Sequence, residues 1–276
     1  MKFSKMHGTG NDYIFVNCMQ QTVQNPQEAA VALSNRHFGV GSDGLVLICP
    51  SEKADAMMKM YNADGSEGLM CGNAIRCVGK FLYDNHLVTK TEITVETASG
   101  IKTLHLMVSD DKVREVTVDM GEPVFKPADI PMFTTGEDFV NRPVKVFGRT
   151  MYATALSMGN PHWVFRVKDV DSLDLDVTGP LFEHHKLFPN RVNTEFVAVE
   201  EDGIRMRVWE RGSGETLACG TGACAAAVAC NINGWCSRAV AVRLKGGTLH
   251  IDWQEQTNRV LLTGPAQHVF DGELII

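Results

Sequence analysis

With 276 residues, 44% of them hydrophobic and 21% charged, the chain has room for one large globular domain or two of about 130 residues. A net charge of −7 with no basic stripe to balance it excludes a nucleic-acid or anionic-membrane partner. No apolar run approaches the ~18 residues that span a bilayer, and Met1–Gly8 lacks a signal-peptide core, so the expected location is the cytoplasm.

In chain order, Lys2–Lys5 and Tyr13–Asn17 read as strands around the polar turn His7–Asp12. Pro26–Ser34 reads as a helix, with Asn25 as its cap and Pro26 in its first position. A glycine loop at 38–44 leads into the short buried strand Leu45–Ile48, and Ala56–Tyr61 alternates weakly before the turn signal Asn62-Ala63-Asp64-Gly65. Apolar residues at 74, 75, 78, 81 and 82 have helical spacing, which places Cys71 at the start of a helix. Glu92–Thr97 and Glu115–Asp119 alternate as strands.

Four of the ten prolines fall between Gly121 and Pro143, marking a domain boundary. Beyond it, Tyr152–Ser157 and His162–Val167 read as strands around Gly159-Asn160-Pro161. Val177–Phe188 reads as a short helix, its His184-His185 pair solvated or packing, and Thr194–Val199 and Arg205–Trp209 read as strands. Gly220–Ala229 is an alanine-rich helix that stops near Asn233-Gly234, so Cys219 also falls at a loop-to-helix junction. The tail from Val240 to Ile276 is β-rich.

Eight cysteines, at 18, 49, 71, 77, 219, 224, 230 and 236, form no C-x-x-C pair. Neither a disulfide framework nor a zinc or other metal site is expected, and Cys77, Cys224 and Cys230 read as core. Cys71 and Cys219 stand apart because the chain repeats itself around them. Gly10-Asn11 matches Gly159-Asn160, Asp43-Gly44-Leu45-Val46 parallels Thr194-Glu195-Phe196-Val197, and Asp64-Gly65-Ser66 parallels Arg211-Gly212-Ser213. Met70-Cys71-Gly72 matches Ala218-Cys219-Gly220. Asn11 to Cys71 is 60 positions and Asn160 to Cys219 is 59. Two similar α/β domains related by a pseudo-twofold axis would bring both helix N-termini, each with a thiol, to an interdomain cleft.

Two opposed thiols suit a racemisation or epimerisation, one thiolate taking a proton from a stereogenic carbon while the other thiol delivers one to the opposite face. Helix-end N–H groups would stabilise the charge that develops on the substrate carboxylate. No phosphate-binding or dinucleotide motif is present and no lysine is marked as a pyridoxal phosphate anchor, so no cofactor is expected.

Met6–Asp12, Asn62–Ser66, Met70–Cys77, Gly159–His162 and Glu210–Gly222 resemble the motifs of the diaminopimelate epimerase family, and the likeness runs on to Gly264-Pro265-Ala266. The resemblance implies epimerisation of LL- to meso-diaminopimelate without a cofactor, in lysine and peptidoglycan-precursor synthesis, with Cys71 and Cys219 as the acid/base pair. It further implies that Asn11, Asn62, Asn160, Asn193, Glu210 and Arg211 hold the substrate. Gly72-Asn73 and Gly220-Thr221 would give their N–H groups to its carboxylate, and His162 and Glu210 would bias the cysteines. The implied fold is α+β, two pseudo-symmetric domains, each a sheet wrapped round a central helix. Residues 1–119 plus 264–276 would form the first and 120–263 the second, the C-terminal segment amending the proline boundary. The family implies a homodimer, with Phe270 at a contact where a tyrosine is common. Some members have Gln in place of Gly44, so Gly44 receives no substrate role. The competing readings are a proline or hydroxyproline racemase, a thiol–disulfide redox protein using Cys71 and Cys219, and a non-catalytic amino-acid binding protein.

Overall fold

The computed structural model describes residues 1–274. The chain divides into two compact units, one made of Met1–Asp119 with the segment from Thr263 onward, the other of Met120–Leu262.

The first unit opens with β1 (Lys2–Gly8) and β2 (Asn11–Asn17), an antiparallel hairpin in which Gly8 faces Asn11. Its two-residue loop, Thr9-Gly10, has φ of 52° and 85°, the primed turn whose twist matches that of the strands. Helix α1 (Pro26–Ser34) carries the chain over to β3 (Gly44–Cys49), which runs parallel to β2. Pro26 starts α1 as the sequence predicts, but Asn25 does not cap through its side chain. Asn25 sits in the left-handed region at φ 47° and accepts the first helical bond, from Ala29, through its carbonyl. Strand β4 (Ala56–Asn62) is antiparallel to β3, and the two-residue β5 (Glu67–Gly68) folds back on β4. Helix α2 (Gly72–Asp84) follows, then β6 (Glu92–Thr97), parallel to β4. Strands β7 (Gly100–Ser109) and β8 (Lys112–Asp119) complete this run. Sequence patterning does not mark β7, whose alternate residues from Ile101 to Met107 lie largely at the surface.

The second unit repeats this order. Strands β9 (Phe139–Val146), β10 (Arg149–Ser157) and β11 (Pro161–Arg166) are antiparallel neighbours. Helix α3 (Leu175–Glu183) crosses to β12 (Asn193–Glu200), which runs parallel to β11. It starts two residues before the predicted position because the Asp174 side chain caps it, accepting from the Val177 N–H at 3.3 Å. Strand β13 (Gly203–Glu210) returns antiparallel and β14 (Gly214–Glu215) folds onto it. Helix α4 (Gly220–Ile232) precedes β15 (Ala239–Leu244), parallel to β13, and β16 (Gly247–Trp253). Strand β17 (Val260–Pro265) then leads to β18 (Gln267–Glu273), which pairs with β1 in the first unit.

Each sheet has two differently packed faces. In the second unit the α3 face is aromatic: Trp163, Phe165, Phe182, Phe188 and Phe196 stack and cross at centroid distances of 4.7–6.3 Å. Its other face curls round α4, which touches β10, β11, β12, β13, β15 and β16. A helix surrounded by strands has no solvent side, and this explains the composition GTGACAAAVACNI: ten of its residues are buried, and only small side chains let the strands close in. The matching helix α2 has the same length, 13 residues, and packs on β1, β2, β7 and β8. No helix among the described residues is long and apolar enough to cross a membrane.

Candidate active site

Cys71 is the N-cap of α2, with φ −130° and ψ 121°, and Cys219 is the N-cap of α4, with φ −120° and ψ 114°. At this position each sulfur lies beside the N–H groups of a first helical turn, where the helix dipole is positive. Gly72 and Asn73 supply those N–H groups in the first unit, and Gly220 and Thr221 supply them in the second.

Around Cys71, the thiol donates to Asn11 Oδ1 at 3.3 Å, and Asn73 Nδ2 reaches the same oxygen at 3.2 Å. Asn11 is held from behind by Asp43, whose Oδ2 accepts from its Nδ2 at 2.7 Å. Arg76 is completely buried beneath the turn and donates through Nη1 to the Gly72 carbonyl at 2.9 Å and to Asn73 Oδ1 at 3.1 Å. Tyr13, two residues along β2 from Asn11 and therefore on the same face, is 6% exposed, with Cys71 and Asn11 among the groups that act on its phenol. Burial first, and then the Cys71 charge, raise its phenol well above the usual value. Asn62 ends β4, its Nδ2 donating to Ser66 Oγ at 2.9 Å.

Around Cys219 the chemistry is acidic. The sulfur is 6% exposed, accepts from the Gly222 N–H at 3.3 Å and lies 3.6 Å from Thr221 Oγ1. Burial, then the Glu210 and Glu195 carboxylates, push its thiol well above the ordinary value. Glu210 is itself raised by burial, against hydrogen bonds from Thr216 and Cys219. His162 is fully buried, with Nδ1 2.7 Å from Glu195 Oε1 and Nε2 2.9 Å from Asn160 Oδ1. Asn193 donates to the Pro161 carbonyl at 3.0 Å and accepts from the Arg211 N–H at 2.9 Å. The Arg211 side chain is exposed, with Nη1 donating to the Asn190 carbonyl at 3.2 Å.

Strand register corrects one part of the repeat. Ile14 faces Leu45 in the first unit and Trp163 faces Thr194 in the second, so Leu45 corresponds to Thr194 and Gly44 to Asn193. Residue pattern alone pairs Gly44 with Glu195, two positions away. A two-residue slip along a strand leaves every side chain on the same face, so alternation alone does not detect it. With the register set, Asn11 corresponds to Asn160, Tyr13 to His162, Asn62 to Glu210 and Cys71 to Cys219. Gly44 has no room for a side chain: a Cβ there would lie 2.2 Å from the Tyr61 carbonyl oxygen and 2.9 Å from the Tyr13 ring.

Three residues that sequence reasoning passed over shape these surroundings. Tyr13 and Glu195 read as ordinary strand positions, with no local motif to mark them. Glu183, only 5% exposed, accepts from Trp209 Nε1 at 2.7 Å, from the Gly212 N–H at 2.9 Å and from Arg191 at 3.1 Å, fixing the loop that carries Arg211. A carboxylate inside the apolar half of a helix was the available signal. His185 packs its ring on Trp163 at 5.0 Å and His184 is exposed, as a packing and solvated pair should be. Phe270 lies on β18, 44% exposed, with its ring edge against Phe3.

A family model described as diaminopimelate epimerase matches residues 3–126 and 154–269. Among curated relatives, the diaminopimelate epimerase of Acetivibrio thermocellus is 56% identical over 275 residues, covering 99% of this chain and 98% of its own. That of Desulfovibrio desulfuricans is 56% identical over 283 residues, covering 100% and 99%. Among solved structures, a Bacillus anthracis phenazine biosynthesis protein of the PhzF family superposes with a TM-score of 0.72 at 16% identity, covering 100% of this chain and 99% of its own. A probable proline racemase from Agrobacterium radiobacter gives 0.69 at 14% identity, covering 100% and 93%. At these identities the two structures share the fold alone.

Proposed function

The chain belongs to the diaminopimelate epimerase family, and from that we propose that it is the isomerase that interconverts LL- and meso-diaminopimelate, with Cys71 and Cys219 acting on opposite faces of one α-carbon. The observation that carries the reading is the matched pair of N-cap cysteines, each on a 13-residue central helix with nearly the same backbone torsions. One thiolate removes the α-hydrogen as a proton, and the electron pair left on carbon delocalises into the carboxylate. The N–H groups of Gly72, Asn73, Gly220 and Thr221 receive that charge; one such donor typically contributes 10²–10³ in rate. The S–H of the other cysteine then gives its proton to the opposite face and becomes the thiolate, so the two sulfurs exchange roles after each turnover. Every step is a proton transfer, and no cofactor takes part.

The surroundings of the two sulfurs differ. Burial and two carboxylates favour the thiol form of Cys219, while Cys71 lies beside Asn11 and over Arg76. Asn11, Asn62, Asn160, Asn193 and Glu210 would bind the amino and carboxylate groups of the substrate, and Arg211 its distal carboxylate. His162, held between Glu195 and Asn160, would act through the field around Cys219. Lysine and peptidoglycan-precursor synthesis in the cytoplasm and a homodimer that uses Phe270 complete the reading; Val269 and Phe270, 53% and 44% exposed on one strand, support such a contact.

Incubating the protein with LL-diaminopimelate in deuterated water, without added cofactor, tests this. Deuterium at one α-carbon together with the meso isomer is expected. Exchange on L-proline and none on the diamino diacid would replace the reading with a proline racemase.

A further inference from the structure

Outside the candidate site, Cys18 and Cys49 stand side by side where β2 and β3 end. The β2–β3 ladder is parallel and closes with Asn17 opposite Ile48. One step on, the Cys18 N–H donates to the Ile48 carbonyl at 2.8 Å, the parallel-ladder bond that sets Cys18 opposite Cys49. Neighbouring strands lie about 4.8 Å apart, within the Cα separation of ~4.4–6.8 Å that a disulfide spans. Both side chains pack against the same hydrophobic cluster on the α1 face, both are half-buried, and both are free thiols. On β4, Lys59 faces Leu47 and Tyr61 faces Leu45, so an ammonium and a phenol share this face with the two sulfurs.

We propose that Cys18 and Cys49 form a thiol-modification site that closes to an intramolecular disulfide by exchange with a low-molecular-weight disulfide. The Cys49 thiolate attacks one sulfur of the reagent, forming a mixed disulfide and releasing one small thiolate. Cys18 gives its proton to solvent, and its sulfur attacks the Cys49 sulfur. The Cys18–Cys49 bond forms and the second small thiolate leaves. Two electrons pass from the cysteine pair to the reagent, which ends as two thiols.

Cys49 is suited to the first attack. The hydrogen bond from Cys18 and the Lys59 charge outweigh burial and bring its thiol down to about 7, close to the value at which an attacking thiol is most effective. The same hydrogen bond and burial push Cys18 up, which marks it as the resolving partner.

The full-length protein is treated with oxidised glutathione at pH 7.5, digested with trypsin without reduction and mapped by mass spectrometry. The expected product joins Met6–Arg36 to His37–Lys53, the peptides that carry Cys18 and Cys49, and dithiothreitol reverses it. In Cys18→Ser, Cys49 should instead accumulate as the glutathione mixed disulfide. Absence of the joined peptide in the native protein, or a Cys49 that stays unmodified in Cys18→Ser while other cysteines react, overturns the proposal.

Discussion

Glu195 Oε1 lies 2.7 Å from His162 Nδ1, and neither side chain has any solvent exposure. Burial pushes the carboxyl up while His162 pulls it down. Glu195→Ala removes the buried partner of Nδ1 and leaves a cavity, so it is expected to cost about 3 kcal/mol in urea unfolding. Glu195→Gln keeps an acceptor oxygen facing the ring and is expected to cost less than half as much.

The carboxylates near Cys219 also give a pH dependence of stability. Burial raises Glu210 in the folded chain above 4.5. Between the unfolded and folded values, the folded chain holds a proton that the unfolded chain has released. The stability this group contributes is therefore complete below its unfolded value and is lost as pH rises through its folded value. Glu210→Gln has no such proton. Its urea midpoint should fall less steeply from pH 5 upward than that of the native chain, and equal slopes would contradict the assignment.

Gly222, in the first turn of α4, separates helix propensity from site geometry. On propensity alone, Gly222→Ala in a helix should stabilise by about 1 kcal/mol. The added Cβ, however, would lie 2.8 Å from Glu195 Oε1 and 3.2 Å from the Cys219 sulfur. Overpacking here is expected to win, with a loss of about 1–3 kcal/mol in thermal or urea unfolding and a fall in kcat, because the sulfur itself must move.

Tyr13 occupies in the first unit the place that His162 occupies in the second. Tyr13→Phe keeps the ring that packs against Gly44 and removes only the hydroxyl beside Cys71 and Asn11. Stability should change little, while kcat/KM should fall roughly fivefold, as for the loss of one polar neighbour worth about 1 kcal/mol. Loss of folding instead would make the hydroxyl structural.

What could be read from the sequence follows from how local each signal is. Cys71 and Cys219 were legible as helix starts because the glycines before them and the apolar spacing after them lie within one short stretch. The duplicated Gly-Asn hairpin was legible for the same reason. The pairing of Gly44 with Asn193 was not, since a slip of two residues preserves the strand alternation and only hydrogen-bond register fixes it. Glu195 and Tyr13 were hidden because their partners come from strands and helices 30 to 60 positions away, and burial of a carboxylate depends on what folds over it. Asn25 was legible as the cap of α1, but not its left-handed backbone, from which the side chain makes no capping bond.

The central claim is that both thiols are needed and that each serves one face of the same carbon. Single variants Cys71→Ala and Cys219→Ala, each shown to be folded, are incubated with LL-diaminopimelate in deuterated water, and formation of the meso isomer is followed together with α-deuterium. The account predicts that each variant loses epimerisation by at least about 10²-fold, the contribution of a positioned acid or base. Native-like turnover to the meso isomer in either variant would contradict it.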